Sequence, residues 1–128
     1  SGVAVREHEQ VELDLSTLKN REEILSACRR YRDPEKLVEF RLTGASEFPV
    51  DVQRIAGELQ TDFFYLQVQD ESSFIDWSQI EKYSDDRTVR GVFVQRIMSQ
   101  LEQAQEERKK EVLKLALLKG LAVFQRGE

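Results

Sequence analysis

Arg87-Thr88-Val89-Arg90-Gly91-Val92-Phe93-Val94-Gln95-Arg96-Ile97-Met98 opens the stretch whose reading decides the fold, and Val112-Leu113-Lys114-Leu115-Ala116-Leu117-Leu118 lies near its end. Both blocks repeat at helical spacing. Val89, Phe93, Ile97, Leu101 and Ala104 form one apolar stripe; Leu113, Leu117, Leu121 and Phe124 form another. The polar run between them contains only good helix formers, with no Gly or Pro. A single helix of about 38 residues would run for roughly 57 Å. A compact chain of this size is only about 36 Å across. Two antiparallel helices turning near Ala104 to Glu107 are therefore expected, with Gly91 facing Gly120, Val94 facing Leu117 and Met98 facing Leu113. The rival is one continuous helix that exchanges its second half with a second copy of the chain.

Upstream, the apolar period changes from helical to alternating and back. Val11, Leu13 and Leu15 alternate with Glu12 and Asp14, so 9–15 reads as a half-buried strand. Its charged alternate face predicts an antiparallel edge. Asn20 is expected to cap a helix whose apolar face is Ile24, Leu25, Cys28 and Tyr31, and Asp33-Pro34 to end it. Leu37, Val38, Phe40 and Leu42 predict a second strand, closed at Thr43-Gly44. Pro49 suits a first helical turn, followed by Val52, Ile55, Ala56 and Leu59 on one face. Phe63 to Gln69 predicts a third strand, with Phe64, Leu66 and Val68 on one side. Asp76 is placed as the cap of a short helix carrying Trp77 and Ile80, and Ser84-Asp85-Asp86 as the start of the next. The sum is an α+β fold: a three-stranded sheet with two helices on one face, in the order β-α-β-α-β, then a C-terminal helical hairpin. One compact domain is expected, divided into a sheet part, 1–75, and a helical part, 76–128.

Composition excludes several classes of function. The net charge of −5 argues against whole-surface affinity for nucleic acid and leaves a local basic face as the route to phosphates. Cys28 is the single cysteine, which rules out an internal disulfide and fits a reducing, cytoplasmic setting. No apolar run approaches the roughly 20 residues of a membrane span, and no signal-peptide pattern opens the chain. The opening Ser1-Gly2-Val3 lacks Met and reads as a processed start, so the chain is expected to be a piece of a longer protein.

Chemistry-bearing patterns are sparse. His8 is the only histidine and stands among charged neighbours, so a histidine-based metal cluster is excluded. Asp85-Asp86 reads as helix capping, and Cys28 as part of an apolar face. Leu42-Thr43-Gly44-Ala45 lacks the glycines and lysine of a phosphate loop. Basic residues cluster more tellingly: Arg29, Arg30 and Arg32; Arg87, Arg90 and Arg96; and Arg108, Lys109 and Lys110 at the expected helical turn. Solvated faces and helix-end charges account for most such clusters. Their functional reading is phosphate contact, which positions a nucleic acid without reading its sequence.

Three phrases carry a family resemblance: Phe40-Arg41-Leu42-Thr43-Gly44, Phe63-Phe64-Tyr65-Leu66-Gln67-Val68, and Thr88-Val89-Arg90-Gly91-Val92-Phe93-Val94-Gln95-Arg96. From Val11 onward the chain resembles the C-terminal region of the YhaO-like branch of SbcD-type DNA repair exonucleases, which are metallophosphoesterases. The resemblance implies an N-terminal nuclease domain with manganese on His and Asp ligands. One histidine cannot supply that set, so no catalytic or metal-binding residue carries over to this chain. It further implies a capping role that holds DNA over the nuclease site, and helices that dock the coiled-coil base of an SbcC-type ATPase. On this reading Arg41, Arg87, Arg90 and Arg96 are the DNA-contact candidates, and Leu113, Leu117, Leu121 and Phe124 the partner-binding candidates. Two rival readings stand beside it. One is a protein-interaction or dimerisation module without direct DNA contact; the other is an independent small enzyme.

Overall fold

The computed structural model describes residues 6–126, which divide after Ser72 into two compact units. The first contains β1 (His8–Asp14), α1 (Arg21–Arg29), β2 (Asp33–Thr43), a two-residue strand β3 (Ala45–Ser46), α2 (Val52–Leu59) and β4 (Phe63–Asp70). The second begins with the short strand β5 (Ser73–Phe74) and continues through α3 (Trp77–Ser84), α4 (Val89–Gln103) and α5 (Glu107–Arg126). The fold is α+β; the described residues form five α-helices and a three-stranded parallel sheet in the order β1-β2-β4.

Local chemistry places the helix starts. The Asn20 side chain accepts from the N–H of Glu23 at 2.9 Å, and the Glu23 carboxylate accepts in return from the N–H of Lys19. Asp51 caps α2 through the N–H of Arg54, and Asp76 caps α3 through that of Gln79. Thr88 caps α4, its hydroxyl oxygen accepting from the N–H of Gly91 at 3.1 Å. The helix therefore starts at Val89 and not at Ser84-Asp85-Asp86. Asp85 instead closes the C-terminus of α3, donating its N–H to Lys82. Pro49 likewise precedes α2 by more than a cap residue, because the Asp51 side chain captures the helix start.

The sheet is parallel throughout, which corrects the antiparallel edge expected from β1. Val11 pairs with Phe40 and Leu13 with Leu42; on the other side Val38 pairs with Leu66 and Phe40 with Val68. Alternation misled because it reports burial of one face, not strand direction. Here the helices α1 and α2 cover one face only, and the other stays polar. β2 also begins four residues earlier than its apolar alternation suggests, with an irregularity in its pairing to β4 between Asp33 and Leu37. The core of this unit is Val11, Val38, Phe40 and Leu42 from the sheet with Ile24, Leu25, Cys28, Ile55 and Leu59 from the helices. The Phe40 ring meets Tyr31 and Phe63 edge-on at 6.1 and 5.6 Å between centroids. At Gly44 the chain takes a positive φ of 83°, a conformation that costs glycine little.

In the second unit the chain breaks helix at Ala104 and resumes at Glu107. α4 and α5 pack on one another; Val94, Ile97, Leu113 and Leu117 are all buried, and the rings of Phe93 and Phe124 lie 5.7 Å apart. Gly91 and Gly120 do not answer one another across that packing. A side chain at Gly120 would run into the Phe93 ring, whereas one at Gly91 would meet the carbonyl oxygens of Asp86 and Tyr83. The two glycines thus serve two close approaches: a ring across the helix pair, and the connection between α3 and α4.

These environments set opposite signs for two substitutions. Gly57, on the exposed side of α2, has open space where a Cβ would go. Gly57→Ala is expected to raise unfolding free energy by about 0.5–1 kcal/mol. Gly91→Ala places its methyl 2.9 Å from the backbone carbonyl of Tyr83 and is expected to lower it by about 1–3 kcal/mol despite the better helix propensity. Urea melts of the two variants beside the parent check both signs.

Candidate functional site

Acids of the chain itself claim Arg29, Arg32, Arg41 and Arg90 among the arginines expected to meet phosphate. Arg41 stands on the open face of β2, between Glu12 at 3.5 Å and Glu71 at 3.6 Å. Around it Gln10, Glu12, Glu39, Gln69 and Glu71 line a shallow groove of about 300 Å³. Gln10 donates to Glu39 across the β1–β2 pair. Three carboxylates around one guanidinium give this groove a negative balance, so it repels phosphate. Arg29 and Arg32 both reach Asp62, at 3.3 and 3.0 Å, and hold this nearly buried carboxylate where α1 ends. Nearer the strand starts, Lys36 joins Glu9 at 3.1 Å, and that hydrogen bond, followed by the carboxylate charge, pushes the Lys36 pKa up.

In the second unit Arg90 lies 3.0 Å from Asp86, one turn back, with its guanidinium stacked 4.0 Å from the centroid of Tyr83. It ties α4 to the end of α3 and is half-buried in doing so. Arg87 and Arg96 are exposed. The four DNA-contact candidates thus divide: Arg41 and Arg90 are engaged by acids of the chain, and Arg87 and Arg96 remain presented to solvent. Asp76, the cap of α3, has its carboxyl pKa drawn down by the Ser78 hydroxyl and then by the Gln79 N–H.

The apolar stripe expected to meet a partner turns inward instead. Leu113 and Leu117 are buried, and Phe124 packs against Phe93. Leu121 lines a cleft of about 270 Å³ with Ile80, Tyr83 and Leu118, between α3 and α5. The stripe is the inner face of α5, because α4 needs an apolar partner of its own. The opposite face of α5 carries a pattern that the first stripe conceals. There Arg108, Val112, Leu115, Lys119, Val123 and Arg126 are all exposed, and their spacing keeps them on one side of the helix. The signal is present in the sequence as a second apolar period, offset by half a turn and interrupted only by cations.

No group of three or more His, Cys, Asp or Glu side chains among the described residues is placed to hold a metal ion. The manganese implied by the family resemblance finds no ligand set among these residues. Cys28 is fully buried under the sheet, and burial pushes its thiol up to about 12 against a small opposing pull from Arg29. At pH 8 the folded thiol is expected to resist an aromatic disulfide reagent and to react at once in denaturant. A raised folded pKa has a second consequence. Stability from the protonated thiol is complete below its unfolded pKa near 9 and is lost as pH climbs toward about 12. Cys28→Ala should flatten that part of the stability–pH curve, measured by denaturant titration at each pH.

Compared with protein-family models, with curated proteins and with solved structures, the chain matches none.

Proposed function

We propose that this chain is a non-catalytic accessory domain of a manganese-dependent DNA double-strand-break repair exonuclease, of the SbcD type that its sequence resembles. Its β-α-β-α-β part serves as the cap and its C-terminal helical hairpin as the element that meets a partner. The observation that carries the partner role is the outer face of α5. That face presents Arg108, Lys119 and Arg126 with Val112, Leu115 and Val123, bordered by the carboxylate of Glu111, on a chain whose net charge is −5. Cations framing an apolar strip suit an acidic amphipathic helix, which offers both a carboxylate row and apolar side chains. A phosphodiester backbone would use the cations and leave the strip wet. The coiled-coil base of an SbcC-type ATPase is the partner this reading names.

DNA contact is the second reading, favoured by the exposure of Arg87 and Arg96. It is weak and positional, because counterion release from two sites supplies little affinity at physiological salt.

One binding series separates the two. Arg108→Glu, Lys119→Glu and Arg126→Glu together are expected to weaken binding to the coiled-coil base of the ATPase about 10- to 100-fold, as three rim ion pairs become repulsions. The same triple variant should bind duplex DNA at low salt about as well as the parent. Arg87→Glu with Arg96→Glu should do the reverse. A triple variant that binds the coiled coil with parental affinity removes α5 from the interface and the partner reading with it.

A further inference from the structure

β4 is the last strand of the sheet order β1-β2-β4, so alternate N–H and C=O groups along its outer edge have no strand to pair with among the described residues. Sheet edges are normally blunted with charge, proline or a bulge. β1, at the opposite edge, follows that practice with Glu9, Glu12 and Asp14 in seven residues. β4 does not. From Phe63 to Gln69 it carries no charged residue and no proline, and Phe64 and Tyr65 stand exposed near its start. Its pairing with β2 is regular from Tyr65 to Asp70.

We infer that the outer edge of β4 pairs antiparallel with β4 of a second copy of this chain, about a two-fold axis at Gln67, to make one six-stranded sheet. Geometry selects this register. A two-fold axis normal to the sheet keeps both helix-covered faces on one side, so facing residues must share a face. Centring on Gln67 opposes Leu66 to the second copy's Val68, apolar to apolar on the helix side, and Tyr65 to its Gln69 on the other. Phe64 then faces the second copy's Asp70. Arg6 already lies over the Phe64 ring, 3.7 Å from its centroid, so that carboxylate arrives beside a guanidinium. Centring on Leu66 instead would oppose Gln69 to the second copy's Phe63, whose ring is already buried against Phe40 in its own unit. Adding β4 to the β1 edge of another copy is disfavoured for two reasons. It sets a strand without a cation against three acids, and it never closes, since each addition leaves a new edge. The two-fold pairing closes.

This inference is independent of the partner reading of α5, and its test is made on the whole chain. Sedimentation equilibrium from about 1 to about 500 µM covers the range in which a small interface populates. The parent is expected to pass from the mass of one chain to that of two. Gln67 is exposed, so Gln67→Lys and Gln67→Glu should fold as the parent does by circular dichroism. Each variant alone sets like charges across the axis and is expected to remain at one chain, with association at least about 10-fold weaker. Mixed in equal amounts they should recover the two-chain mass, because lysine then faces glutamate. Three results would each overturn the assignment: a parent that stays at one chain throughout, a Gln67→Lys variant that dimerises like the parent, or a mixture that fails to recover.

Discussion

Burial of one row of side chains on β2 is the constraint on which the first unit depends. Val38, Phe40 and Leu42 are at most 1% exposed, and both neighbouring strands and both covering helices pack around them. Phe40 sits at the centre, between Val11 and Val68 in the sheet and edge-on to Tyr31 and Phe63. Parallel strands require long crossovers, and α1 and α2 are those crossovers. Because the sheet order advances in one direction, right-handed crossovers place both helices on one face. The core is therefore one-sided.

A one-sided core divides the labour between the faces of the sheet. The uncovered face must be polar, and it is ordered by side-chain pairs: Arg41 with Glu12 and Glu71, Gln10 with Glu39. Exposed pairs of this kind are each worth only about 0–1 kcal/mol. They set which charges the surface offers more than they hold the strands together. Arg90 plays the same part between α3 and α4 through Asp86 and Tyr83. Basic residues that look like phosphate ligands in a string of letters are thus partly consumed by the fold. The outer face of α5 is where cations gather beside exposed apolar side chains.

Elements with a strong period or a clear cap were legible in the sequence. Asn20 and Asp76 cap the helices expected of them, and Phe63 to Gln69 falls within β4. A change of helix near Ala104 was readable from length alone, because one straight helix would outrun a chain of this size. Strand direction was not readable, since Glu12 and Arg41 alternate with core residues in the same way whether the open face belongs to a parallel or an antiparallel sheet. The start of α4 was hidden because three polar residues, Ser84, Asp85 and Asp86, compete with Thr88 as caps, and only the backbone geometry decides among them. Roles of individual arginines were illegible for a related reason. Arg41 finds Glu12 across a strand pair and Glu71 beyond β4, and neither acid is near it in sequence. Leu113 and Leu117 do form an interacting stripe, but the stripe faces α4, and the sequence alone does not say which of two apolar faces on α5 is spent internally.

The one-sided core makes a sharp demand on adjacent residues of a single strand. Phe40 points under the helices and Arg41 onto the open face, so their truncations should differ far more than their size does. Denaturant unfolding of Phe40→Ala and Arg41→Ala, followed by circular dichroism, measures this directly. Phe40→Ala is expected to lose about 3–5 kcal/mol, and Arg41→Ala less than about 1 kcal/mol. Losses of similar size at the two positions would mean that the polar face carries the fold as much as the buried one, and would contradict the account.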